Sequence, residues 1–140
     1  MSLEEQQELK QKSFAEALRY MDNAKETLQK AKKEDKHYHD RKYVRTACGT
    51  AYNGVLLALD AYLKLKDIEL PKKTRRSIDF YIGNIGKIDR RLLQYLNDVY
   101  DTLHLSGYYD GNLNALVIKE GFDAAYEIIN KIKPTRVKEN

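Results

Sequence analysis

The sequence predicts an all-α fold, an antiparallel helical bundle of four to five helices, formed as a single domain over residues 1–133 with a short polar tail at 134–140. Three observations carry that expectation. The 140 residues fall within the usual size of one domain and leave no room for two. Charged residues make up 33% of the chain, above the roughly 25% norm, as amphipathic helices require when each keeps a solvated face. Punctuation is sparse: the only prolines are Pro71 and Pro134, and most glycines gather at Gly83, Gly86, Gly107 and Gly111, too few turn signals for a many-stranded β protein.

The first periodic run places Phe14, Leu18, Met21, Ala24, Leu28 and Ala31 on one face and predicts a helix over residues 2–33, with Glu4 and Glu5 favouring the positive end of its dipole. The polar stretch KKEDKHYHD lacks any period and reads as a loop. A second helix follows, with Val44, Ala47, Cys48, Ala51, Val55, Ala58, Leu59, Tyr62 and Leu63 in helical rhythm. Its segment GVLLALDAYL is apolar nearly all round, so it is expected to lie centrally with neighbours on more than one side. Ala47, Ala51, Gly54 and Ala58 form a strip of small residues that permits close helix approach. Asp60 interrupts the apolar stretch; a carboxylate there faces solvent or pairs with a base, and solvent is the expectation, because unpaired burial is costly.

Pro71 suits the first turn of a third helix, where its missing N–H has no helical partner to lose. That helix carries Ile78, Tyr81, Ile82, Ile85 and Ile88, and Gly83 and Gly86 are expected to end or kink it. Asp89 is positioned to cap a fourth helix bearing Leu92, Leu93, Leu96, Val99, Tyr100 and Leu103, which is expected to end before SGYYDGN. The last helix is predicted over residues 113–133, with Ile118, Phe122, Ala125, Ile129 and Ile132 inward and Pro134 stopping it.

No window approaches the roughly 18 apolar residues of a membrane span, and the charged opening MSLEEQQELKQK has no signal-peptide hydrophobic stretch, so the expected setting is cytoplasmic and away from membranes. Cys48, the single cysteine, excludes an internal disulfide and reads as a buried structural thiol. His37, His39 and Asp40 supply only part of a metal-ligand set, and no metal or other cofactor is expected. Walker-type, HExxH and GxSxG motifs are absent.

The formal net charge of +4 hides a local asymmetry. Residues 71–91 hold Lys72, Lys73, Arg75, Arg76, Lys87, Arg90 and Arg91 against Asp79 and Asp89, so Arg75, Arg76, Arg90 and Arg91 are the candidates for contact with phosphate or RNA. A plain solvated face explains the same charges, since base-stacking aromatics are not interleaved among them. His104 is the histidine with chemical potential: Asp101 precedes it by three residues, and Tyr100 and Tyr108 flank it. A histidine beside a carboxylate can serve as general acid or base, whereas a helix-end histidine can equally bond free carbonyls. Tyr100, Tyr108 and His104 together are candidate pocket residues.

The succession SFAEALRYMDNAKETLQKA, VRTACGTAYNGVLLALDAYL and LLQYLNDVYDTLHLSGYYDG resembles the HEPN superfamily of small helical bundles, over roughly residues 10–133. The resemblance implies frequent dimerisation and, in many members, RNA cleavage by an arginine and a histidine with four to six residues between them. Here Asn97, followed by Asp98, stands in the arginine's place, with His104 in the histidine position. Asparagine offers a phosphate neither the permanent charge nor the fork of arginine, so catalysis is not expected from Asn97, Asp98 and His104. Two functions therefore follow from the sequence: a non-catalytic HEPN-like protein acting through homodimerisation and association with a protein or RNA, or a ribonuclease or toxin–antitoxin component centred on His104.

Overall fold

The computed structural model describes residues 1–72 and 77–135. Helix α1 spans Leu3–Gln29, and Ser2 starts it with a capping box: the Ser2 hydroxyl accepts from the Glu5 N–H at 3.1 Å while Glu5 reaches back to the Ser2 N–H. The helix stops four residues short of its expected end. Strands β1 (Lys33–Glu34) and β2 (His37–Tyr38) pair antiparallel in the stretch expected to be a loop, with Asp35 in the left-handed region at φ 57° making the tight reversal. Alternation of apolar residues could not reveal this hairpin, because strands this short have none to show.

Helix α2 (Arg41–Leu65) is capped by Asp40, whose carboxylate accepts from the Lys42 N–H at 3.0 Å. It is the central element, packing on α1, on the segment that carries His104, and on the last helix. Residues 31 and 40 meet at one end, where the Asp40 N–H donates to the Ala31 carbonyl, and Gly54 meets Ala17 and Tyr20 midway along, so α1 and α2 run antiparallel. The small-residue strip acts as expected at Gly54: a Cβ there would lie 2.9 Å from the Tyr20 Cβ and 3.4 Å from the Ala17 carbonyl oxygen. Cys48 is fully buried, and burial pushes its thiol up to about 12, which leaves it protonated and inert at neutral pH.

Helix α3 spans Ile78–Ile88 and begins seven residues after Pro71, with Ser77 in the extended conformation before it. Pro71 therefore does not open this helix. Gly83 and Gly86 do not end it either. A Cβ at Gly83 would meet nothing within 4 Å, and one at Gly86 only the Leu93 side chain at 3.4 Å, so these glycines mark no close backbone contact. The break falls at Asp89, whose extended backbone separates α3 from α4 (Arg90–Val99). As expected, Asp89 caps α4, accepting from the Leu92 N–H at 3.0 Å. That hydrogen bond, together with the Lys131 ammonium 3.1 Å away, holds its carboxyl below the usual value.

The chain does not turn at Ser106. Helical winding continues from α4 into a π-helical segment, Tyr100–Tyr109, and ends at Gly111, whose φ of +64° reverses the backbone. Of the turn signals in SGYYDGN, only Asp110–Gly111 breaks the helix, while Gly107 is buried against α2. Helix α5 (Ala115–Ile129) starts two residues later than expected, with the Asn114 side chain accepting from the N–H groups of Leu116 and Val117, and closes through a single 3₁₀ turn, Asn130–Ile132. Met21, Val44, Leu59, Leu92, Leu96, Leu103, Ile118 and Ile129 fill one apolar core at 0–1% exposure. The fold is an all-α helical bundle with one small hairpin. Among the described residues, no helix is long and apolar enough to cross a membrane.

Candidate functional site

One face of α2 carries Gly49, Tyr52, Asn53, Leu56, Leu57 and Asp60 at alternating spacings of three and one, the rhythm of a single helical stripe. That stripe forms the floor of a groove of about 830 Å³. Tyr20 from α1, Ser77, Ile78 and Tyr81 at the start of α3, and Tyr100, His104, Tyr108 and Tyr109 from the π-helical segment complete its lining. Six tyrosines and one histidine thus converge from four elements.

Wide winding explains why the π-helical segment contributes so many rings. In an α-helix the residue five ahead points to the far side; with i→i+5 hydrogen bonding it lies over residue i. His104 accordingly meets Tyr109 edge-on, with ring centroids 5.0 Å apart at 89°, as well as Tyr108 at 6.0 Å and Tyr100 at 5.2 Å. Tyr52 of α2 stacks on the same imidazole at 4.6 Å and 26°. Gly49 makes room for this pile: a Cβ there would stand 3.1 Å from the Tyr108 ring.

Burial holds the His104 imidazole below its ordinary value of 6.5, so it is neutral at pH 7. Tyr52 is pushed up to about 12, by burial first and then by Tyr100 and Tyr81, and keeps its proton. The Tyr81 hydroxyl donates to Asp60 Oδ1 at 2.9 Å. Asp60 is thus half-buried on the groove wall and accepts a hydroxyl donor there, rather than standing free in solvent as expected.

The structure joins Tyr100, Tyr108 and His104 as the sequence suggests, but it separates the other candidates from them. Asn97 and Asp98 are exposed on α4 and do not line the groove. Asp101 is exposed and makes no hydrogen bond to His104 among the described residues, so it does not orient the ring. Arg90 and Arg91 are exposed in the first turn of α4, away from the groove; Arg75 and Arg76 lie outside the described residues. His39 is engaged by Glu34 at 2.9 Å, and His37 pairs with Glu34 across the hairpin. Among the described residues, no group of three or more His, Cys, Asp or Glu is placed to hold a metal ion.

Sequence reading missed Tyr20, Tyr52 and Tyr81 as site residues. The available signal was the α2 stripe itself, since a helix that is apolar nearly all round keeps a second face beyond the one its own bundle covers.

The neutral imidazole predicts a pH dependence of stability. The unfolded chain takes up this proton near 6.5 and the folded ring only below that, so stability is full above about pH 6.5 and falls as the pH drops through the lower folded value. Urea unfolding of the wild type and of His104→Phe, which keeps an aromatic ring but cannot titrate, checks this: the variant should lose less stability on acidification.

Fold and groove together define a small all-α bundle protein with an aromatic surface groove. The chain belongs to DUF5618, a family described as a domain of unknown function, whose profile matches residues 12–134. A solved structure of a protein of unknown function from Dyadobacter fermentans is similar to it at 40% identity and a TM-score of 0.77, covering 88% of this chain and 94% of that one. A comparison with curated proteins finds no match.

Proposed function

We propose that this protein is a non-catalytic, HEPN-like helical module that works by association, its groove face pairing with the same face of a second copy. The groove carries this reading, through its six tyrosines and its exposed pair Tyr108 (46%) and Tyr109 (61%). Tyrosine supplies large, stiff, amphipathic contact area at low entropic cost, and Asn53, Ser77 and Gly49 beside it are the adaptable partners found with it in recognition surfaces. A two-fold contact also needs a surface complementary to itself. Here exposed rings and a cavity share one face, Tyr109 being the more exposed of the pair at 61%, so the Tyr108–Tyr109 edge of each copy can pack on the groove face of the other.

Size-exclusion chromatography with light scattering should give twice the chain mass at high micromolar concentration. Tyr108→Glu/Tyr109→Glu should give a monomer with unchanged helical circular dichroism; a wild type that is monomeric throughout would overturn the reading. The competing ribonuclease reading places chemistry at His104, which does line the groove. Cleavage of single-stranded RNA that His104→Ala abolishes would replace the association reading with that one.

A further inference from the structure

A second concavity shares no lining residue with the tyrosine groove. It lies between α1, the hairpin and the start of α5, has a volume of about 380 Å³, and adjoins a depression of the same size through Lys25, Leu28, Lys33 and Tyr38. The floor of this trough is apolar. Leu28, Tyr38 and Tyr126 are half-buried in it, and Leu116, on the first turn of α5, is 59% exposed at its edge.

Charge on the rim is one-sided. Four lysines line it, Lys25, Lys33, Lys36 and Lys119, against Asp35 and Asp123; Asp123 engages Lys119 at 2.8 Å and, with Asp22 nearby, also acts on Lys25, so Lys33 and Lys36 carry most of the excess positive charge. The first turn of α5 carries no acidic residue, so the positive end of its dipole adds to the same field. These lysines also stand on a fixed base. The Tyr38 N–H donates to the Leu113 carbonyl at 2.8 Å and the Ala115 N–H to the Lys36 carbonyl at 2.8 Å, tying the hairpin to the head of α5. Lys25 Nζ lies 4.7 Å above the Tyr126 ring.

An apolar trough walled by two helices is the setting in which an amphipathic helix docks, and a lysine rim selects one whose flanks are acidic. We propose that this trough docks an acidic amphipathic helix of a protein partner, its apolar side on Leu28, Tyr38 and Leu116 and its carboxylates on Lys25, Lys33 and Lys36. The trough opens to solvent and is continuous with the adjoining depression around Leu28 and Tyr38, which suits a chain segment rather than an enclosed small molecule.

The test uses the full chain and a fluorescein-labelled peptide of helical repeat, with leucines at i, i+4, i+7 and i+11 and glutamates at the flanking positions, read by fluorescence anisotropy. Saturable binding is expected, weakening as salt is raised from about 50 to about 300 mM. Lys33→Glu/Lys36→Glu and, separately, Leu116→Asp should each weaken it about tenfold or more. All three positions are exposed, and unchanged circular dichroism will show that the variants fold. Equal binding by a peptide with lysine in place of glutamate, affinity unmoved by both variants, or no saturation at high micromolar protein each overturns the proposal. Saturation by laurate or by single-stranded RNA, with the same variants abolishing it and no peptide bound, overturns it in favour of that ligand.

Discussion

Gly107→Ala is expected to destabilise the protein, although a glycine-to-alanine change inside a helix ordinarily helps by about 0.5–1 kcal/mol. A Cβ at this position would lie 2.7 Å from the Cys48 Cβ, closer still to its Sγ, and 3.2 Å from the Thr102 carbonyl oxygen. Cys48 is fully buried, so any shift of its side chain must displace packed neighbours. Overpacking of this kind costs about 1–3 kcal/mol, enough to exceed the propensity gain. Urea denaturation should show the loss, and Cys48→Ala in the Gly107→Ala background should recover part of it by removing the sulfur. Gly83→Ala is the matched control: nothing stands within 4 Å of its Cβ, so the ordinary stabilisation should appear. A Gly107→Ala variant as stable as the wild type would mean that the π-helical segment does not lie so close to α2.

Leu103→Ala should have the larger effect, about 2–5 kcal/mol, because it removes a fully buried side chain from the junction of three elements. Leu103 stands on the π-helical segment against α5, where its Cγ would be 2.8 Å from a Cβ placed at Gly121. Gly121 keeps the α5 backbone close, so the vacated space has rigid walls on that side and cannot readily collapse. Leu105→Ala, two residues on and 37% exposed, should change stability by only about 0.5 kcal/mol. Thermal and urea unfolding of the pair separate the two outcomes. Similar losses for both variants would contradict the inward placement of Leu103.

Much of the bundle is legible in the amino-acid order because its cause is local. The capping carboxylate of Asp89 needs only the three residues that follow it, and the inward face of Leu92, Leu96, Val99 and Leu103 needs only helical spacing. Glycine signals are less decisive. Gly83 and Gly86 weaken a helix, but α3 runs through both, since tertiary packing of Tyr81 and Ile85 outweighs a propensity cost of about 1 kcal/mol per glycine. Gly107 resembled a turn residue for the same reason, and its role lies in the contact with Cys48, far away in sequence.

The candidate site divides along the same line. Tyr100, His104 and Tyr108 share a stretch of chain and spacings of four, so their grouping was readable. Tyr20, Tyr52 and Tyr81 reach the same groove from three other helices, and Tyr109 joins the face of His104 through a change in helical winding that no residue pattern announces. By itself the sequence determined the helices, their inward faces and the cap at Asp89, because these depend on interactions within a few residues. Only the tertiary structure decided that α4 continues as a wider helix to Tyr109, that the Tyr81 hydroxyl donates to Asp60, and that six tyrosines line one groove. Those outcomes depend on which helices lie side by side, and that is settled by packing summed over the whole core.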